Sequence, residues 1–240
     1  MTAADTTTVT IEARPAAVEQ PIGHAIHLPA NARRYLVEAI GTLFLVFTVG
    51  ASVRSGSALA PLAIGAALMA MIYAGGHISG AHYNPAVTMA ALVRRRIDIR
   101  EAAGYWAAQI VGALIGAGAV LAVVPGGQSA ALALSGHALM AAVVAEVLFT
   151  FALCYVVLNV ATSKDHPDNS FYGLAIGFTV TAGAIAVGGV SGAAFNPAVV
   201  VAGVAMGMFS LPMLPVYVAA QIIAGTAAGM VFRALNPDDK

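Results

Sequence analysis

The chain has 240 residues, 60% of them hydrophobic and only 9% charged, whereas soluble domains carry about 25% charged residues; this excludes an ordinary water-soluble globular protein. Eleven basic and eleven acidic residues leave no net charge, which argues against a nucleic-acid-binding surface. The single cysteine, Cys154, excludes an internal disulfide and any multi-cysteine metal site.

Residues 1–31 are rich in Thr, Ala and Pro with scattered charges, and no apolar core of signal-peptide type precedes Arg33-Arg34. That composition predicts a disordered N-terminal tail. From there a bilayer core of roughly 30 Å requires about 20 apolar helical residues per span. Six stretches qualify: Tyr35–Val53, Ala58–Gly75, Glu101–Val124, His137–Val160, Phe171–Gly188 and Pro212–Ala234. Two shorter apolar pieces, Pro85–Val93 and Pro197–Met208, are too short to cross alone. The fold class is therefore an all-α membrane protein with six transmembrane helices and two re-entrant half-helices. The channel domain is expected over 32–235, followed by a short tail at 236–240.

The pieces are organised as a duplication. Ser79-Gly80-Ala81-His82-Tyr83-Asn84-Pro85-Ala86-Val87 is echoed by Ser191-Gly192-Ala193-Ala194-Phe195-Asn196-Pro197-Ala198-Val199, 112 residues later. The same offset links Tyr105-Trp106-Ala107-Ala108-Gln109-Ile110 to Tyr217-Val218-Ala219-Ala220-Gln221-Ile222. The repeats run over about 33–124 and 137–235. With three spans in each, the second enters the membrane upside down relative to the first, the inverted-repeat plan of many channels and transporters.

Basic residues set the orientation. Arg33, Arg34, Arg94, Arg95, Arg96, Arg100, Lys164, Arg233 and Lys240 fall on one side of a six-span protein, and Arg54 alone on the other. Both termini are expected in the cytoplasm of a multi-pass protein of the inner or plasma membrane. The Arg-, Ala-, Gly- and Val-rich composition suggests a bacterial source.

Asn is a strong N-cap and Pro is favoured at the first helical position. Asn84-Pro85-Ala86 and Asn196-Pro197-Ala198 thus read as helix starts, entered through tight turns at Gly80 and Gly192. Non-helical backbone at membrane depth is tolerated only where protein buries it or water lines it. Two half-helices should therefore meet at mid-membrane, each presenting a positive end of roughly half an elementary charge. Cations are repelled at that point, while the two carboxamides donate to the oxygen of a passing molecule.

These boxes, together with Gly76-His77-Ile78-Ser79-Gly80 and Glu38-Ala39-Ile40-Gly41-Thr42, resemble the aquaporin, or major intrinsic protein, family over about 33–235. The resemblance implies the aquaporin fold, a homotetramer with one pore per subunit in the lipid bilayer, and passive two-way conduction of water and small neutral solutes without a cofactor or metal. It also implies that Glu38 and Glu146, with His77, support the re-entrant loops; on the residues alone the two carboxylates could instead form an ion or proton site.

By spacing from the boxes, the resemblance places the narrowest point at Ile64, Ala184, Ala193 and Val199. Most of the family carries arginine where this chain has Val199, and glycerol facilitators usually add aspartate where it has Val200. A ring of Ile, Ala, Ala and Val is wide and apolar, so glycerol, urea, ammonia, hydrogen peroxide or metalloid acids such as arsenous acid are expected to pass. A water-selective channel is the alternative, and an ion-coupled secondary transporter a more distant one. No membrane-embedded Ser/His, paired Asp or His-rich metal constellation suggests an enzyme. Among weaker signals, Gly112-x-x-x-Gly116 and Gly225-x-x-x-Gly229 permit close helix packing, His82 reads as loop support, and His166 as part of a plain solvated loop. Arg94-Arg95-Arg96 marks the cytoplasmic boundary, where it could touch anionic lipid.

Overall fold

A computed structural model describes residues 28–124 and 130–239. Within them the chain forms eight helices: α1 (Ala30–Arg54), α2 (Ala60–Ser79), α3 (Pro85–Val93), α4 (Ile99–Val123), α5 (Gly136–Ala161), α6 (Tyr172–Ser191), α7 (Pro197–Ala205) and α8 (Met213–Leu235). Six of them are long and apolar enough to cross a membrane, at 20 to 26 residues each. At 1.5 Å per residue that length covers a hydrocarbon core of roughly 30 Å. The two others, α3 and α7, have 9 residues each and reach about half as far.

Most of the sequence-expected tail, residues 1–27, lies outside the described residues. Residues 30 and 31, assigned to that tail, belong instead to the first turn of α1, which begins behind Pro29. The first two arginines are thus part of the helix and extend it beyond its apolar length. The helix after the second box also stops earlier than expected, at Ala205, because Gly207 turns the backbone to φ 73°.

The packing follows the duplication. α1 packs on α4 as α5 packs on α8, and α2 meets α6 across the centre. Each half-helix leans on the last span of the other repeat, α3 on α8 and α7 on α4, so neither repeat is complete alone. Small residues allow these approaches. A Cβ on Gly65 would sit 2.5 Å from the Gly177 carbonyl, and one on Gly177 would sit 2.5 Å from the Gly65 carbonyl; these are matching positions of the two repeats, touching at the centre. Gly112 and Gly116 let α4 close on Ala39 and Leu43 of α1, and Gly225 and Gly229 let α8 close on Ala86 and Ala90 of α3. Both glycine pairs thus serve contacts inside the bundle. On the outside, large apolar residues such as Leu148, Ile185, Ile223 and Met230 stand exposed, which suits a lipid solvent.

Candidate functional site

The two re-entrant loops adopt one backbone. α2 and α6 end at left-handed glycines, Gly80 at φ 84° and Gly192 at φ 81°. Beyond them Ala81 and Tyr83 take φ 51° and 48°, and Ala193 and Phe195 take 50° and 48°. Residues with a Cβ pay for such angles and hold them only where the surroundings impose them.

The imposing groups are the two buried glutamates. Glu38 accepts from Ser79 Oγ (2.7 Å), His82 N (2.9 Å), Tyr83 N (2.7 Å) and Gln109 Nε2 (2.9 Å). Glu146 accepts from the matching set: Ser191 Oγ (2.8 Å), Ala194 N (3.0 Å), Phe195 N (2.8 Å) and Gln221 Nε2 (2.8 Å). Tyr105 and Tyr217 donate from their hydroxyls to the Ser79 and Ser191 carbonyls, at 2.5 and 2.8 Å. Three of the four donors on each carboxylate come from its own loop and the serine before it, and the fourth from α4 or α8, so each glutamate clamps the loop to the bundle. The sequence displayed these partners in the Tyr-x-x-x-Gln echo of α4 and α8, but gave them no role; four-residue spacing on one helix face was the available signal. Thr42 donates back to the Glu38 carbonyl at 2.7 Å, whereas the buried Thr150 hydroxyl has no partner among the described residues.

The clamps bring the asparagines together. Asn84 Oδ1 accepts from Ala86 N at 2.8 Å, and Asn196 Oδ1 from Ala198 N at 2.9 Å, capping α3 and α7. Their Nδ2 atoms cross between loops, Asn84 to the Phe195 carbonyl and Asn196 to the Tyr83 carbonyl, both at 2.9 Å. A carboxamide has two N–H groups, so each asparagine keeps one beyond the crossing bond. Pro85 and Pro197 open the half-helices without losing a needed donor, and the positive ends of both helices meet at this crossing.

Asn84 and Asn196 border a cavity of ≈ 460 Å³. Ile64, Ala184, Ala193 and Val199, the four residues expected at the constriction, all border it too. Among the described lining residues only His82, Asn84 and Asn196 have polar side chains. One mouth is walled by Val53, Ala60 and Leu132. The loop carrying Leu132 is fastened to the stretch after α7 by Leu132 N to the Met208 carbonyl (2.9 Å) and Ser210 N to the Leu132 carbonyl (3.0 Å). At the other end His82 and Val157 border both this cavity and a second one of ≈ 450 Å³, which Arg34, Arg96, Tyr105, His166 and Asp168 also line. The two cavities thus share part of their wall at the first re-entrant loop.

Two sequence readings change, those of His77 and Arg94. His77 is exposed, and its side chain makes no hydrogen bond to the loop among the described residues. His82 takes that position: its Nδ1 lies 3.0 Å from Thr88 Oγ1, and its ring stands edge-on to Tyr105 at 5.0 Å. Arg94 faces inward, away from any lipid. It is 2% exposed, pairs with Asp239 Oδ1 at 2.6 Å, reaches the Asp239 and Thr162 carbonyls at 3.0 and 3.2 Å, and lies over the Phe232 ring at 4.4 Å. The end of the chain is correspondingly anchored, with Asp239 Oδ2 accepting from Lys164 N at 3.0 Å. His166 stays exposed in its loop, with Nδ1 3.0 Å from the Asn159 carbonyl.

The comparisons with known proteins agree with this geometry. The family model described as "Major intrinsic protein" matches residues 25–188 and 172–239. The glycerol uptake facilitator protein-like 6 of Lactiplantibacillus plantarum is 39% identical over 222 residues, covering 86% of this chain and all of that protein. Aquaporin NIP1-1 of Oryza sativa subsp. japonica is 37% identical over 193 residues, covering 76% of this chain and 67% of that protein. An X-ray structure of the aquaglyceroporin from Plasmodium falciparum superposes with a TM-score of 0.68 at 22% identity, covering 87% of this chain and 96% of that one; at that identity it speaks for the fold.

Proposed function

This chain belongs to the major intrinsic protein family, passive membrane channels and not enzymes, and from that premise we propose that it conducts small uncharged solutes larger than water, along with water itself. The observation that carries the reading is the lining of the path. Ile64, Ala184, Ala193 and Val199 border the same cavity as the paired asparagines, and none of them brings a charge or a side-chain hydrogen bond. A ring of this composition leaves room for glycerol, urea, ammonia, hydrogen peroxide or a metalloid acid. Without a fixed positive charge at Val199, rejection of cations falls to the facing ends of α3 and α7.

The mouth at Arg34 and Arg96 faces the cytoplasm on the distribution of basic residues, and the channel works as a homotetramer in the inner or plasma membrane of a bacterium. The first relative named above carries a glycerol facilitator's name, in keeping with a solute larger than water.

The test is a stopped-flow panel on purified protein in liposomes with water, glycerol, urea and arsenous acid. Flux of all four above protein-free liposomes, with a low activation energy and no dependence on a proton or sodium gradient, is the expected result. Flux of water alone would overturn the broad-solute reading, and gradient dependence would overturn the channel.

A further inference from the structure

We infer that Thr88 is a positioning residue for conduction: it holds the His82 imidazole against the wall where the two cavities meet, with the ring proton on Nε2, and so keeps that junction wide enough for glycerol. This deepens the proposed passage of solutes larger than water and rests on it.

His82 and Val157 border both cavities, so the imidazole stands at their junction. Its ring is held on three sides. Nδ1 lies 3.0 Å from the Thr88 hydroxyl. The ring meets Tyr105 edge-on, with centroids 5.0 Å apart. At the Nε2 edge a Cβ on Gly80 would stand 3.6 Å away, and Gly80 borders the second cavity, so that edge is turned toward it. Behind the ring, Thr88 and Gln109 are fully buried. The Glu38 carboxylate only accepts, which turns the Gln109 amide to it at 2.9 Å, and the same Nε2 donates to Thr88 Oγ1 at 3.0 Å. The Thr88 hydroxyl then gives its own hydrogen to His82 Nδ1. This relay fixes both the rotamer and the tautomer of the ring from Glu38.

The second repeat shows that the loop itself does not need this relay. At the positions 112 residues on, Ala194 replaces His82 and Val200 replaces Thr88. Gln221, which matches Gln109, still donates to Glu146 at 2.8 Å. The loop backbone is nonetheless the same, with Ala81 and Ala193 at φ 51° and 50°, and Tyr83 and Phe195 both at 48°. Histidine and threonine stand together in one repeat and are replaced together in the other, while the clamp is common to both. The Thr88 hydroxyl therefore serves the ring and not the loop. Two rotatable bonds join the imidazole to its backbone. Without an anchor on Nδ1 the ring turns out across the junction toward Val157 and narrows it.

A double-mutant cycle tests this. Glycerol and water permeabilities are measured by stopped flow on proteoliposomes of the wild type, Thr88→Val, His82→Ala and the double variant. Both substitutions copy the second repeat's own residues. Thr88→Val should lower glycerol permeability about fivefold, the worth of one hydrogen bond, with water less affected, and Thr88→Ser should restore it. In the His82→Ala background Thr88→Val should change nothing further. An equal loss in both backgrounds, or none in either, overturns the inference and leaves the broad-solute reading standing. Nitrogen NMR of histidine-labelled wild type, with His82 assigned from His82→Ala, decides it if Thr88→Val does not assemble. An unprotonated Nδ1 that accepts a hydrogen bond is expected there, and a proton on Nδ1 overturns the inference. No glycerol flux through the wild type overturns the broad-solute reading and the inference with it.

Discussion

The two repeats are alike where the chain is held and unlike where the path runs. Four donors close on Glu38 and four matching donors close on Glu146, and the loop φ angles agree within a few degrees. The residues facing the path have diverged. On the cavity wall the first repeat offers His82 where the second offers Ala194, and behind it the buried Thr88 and Tyr83 correspond to Val200 and Phe195. A third layer shows one contact satisfied in two ways. Arg54 and Thr162 stand sixteen residues beyond Glu38 and Glu146, and Arg94 and Met206 are the C-caps of α3 and α7. At one end of the molecule Arg54 of α1 donates to the Met206 carbonyl at 3.0 Å; at the other, Arg94 of α3 donates to the Thr162 carbonyl at 3.2 Å. Each places a cation at a helix C-terminus, but the cation comes from opposite partners. Duplication thus preserved the clamp and the need for a terminal cation, while the pore-facing side chains remained free to change.

The largest effect that could break this comparison is at the clamps. Glu38→Gln and Glu146→Gln each put an N–H where a donor already sits, and breaking such a buried network costs about 3–5 kcal/mol. Both variants should lose most monodisperse protein in size-exclusion chromatography, and by similar amounts; normal assembly of one alone would show that the clamps are not equivalent. Next comes the diverged pore. Val199→Arg should cut glycerol and urea flux by about tenfold or more, the equivalent of roughly 1.4 kcal/mol in barrier, while water flux stays close to the wild type. Equal loss of both, or loss of neither, would remove Val199 from the constriction.

The exchanged cations give a smaller, graded contrast. Arg94→Met strips a buried carboxylate of its partner and should lower stability by about 2–3 kcal/mol. Arg54→Met removes a carbonyl contact and should cost about 1 kcal/mol, with thermal melting in detergent as the readout. The smallest effect concerns pH. Burial pushes the Asp239 carboxyl up, but the Lys164 N–H, the Arg94 hydrogen bond and the charges of Arg94 and Arg96 hold it below the usual carboxylate range. Its stabilisation is complete above the unfolded value near 3.9 and is lost as pH falls through the lower folded value. The wild type should therefore lose more melting temperature than Asp239→Asn below about pH 4, and equal slopes would deny the clasp any role.

Much of this was legible in the chain. The six spans followed from apolar length, and α3 begins and ends as Asn84-Pro85 and the arginines indicate. The paired asparagines followed from the repeated box, while the four residues expected at the constriction came from the family resemblance and all border the cavity. Elsewhere local pattern gave out. Arg33 and Arg34 looked like the end of the membrane and are also helix, since a backbone continues where hydropathy stops. His77 and His82 both flank Gly80, and only the fold brings Thr88 to one of them. Arg94 looked like its two neighbours, yet it turns inward to an aspartate 145 residues away, a contact no local window contains.

The central claim is that Asn84 and Asn196 cross between the loops and line one aqueous path. An electron cryomicroscopy map in lipid nanodiscs, at a resolution that shows ordered water, tests it directly. The expected map has Asn84 Nδ2 on the Phe195 carbonyl, Asn196 Nδ2 on the Tyr83 carbonyl, and a file of water passing within hydrogen-bonding reach of both amides. Amides lying apart, or a crossing packed dry from wall to wall, would contradict it.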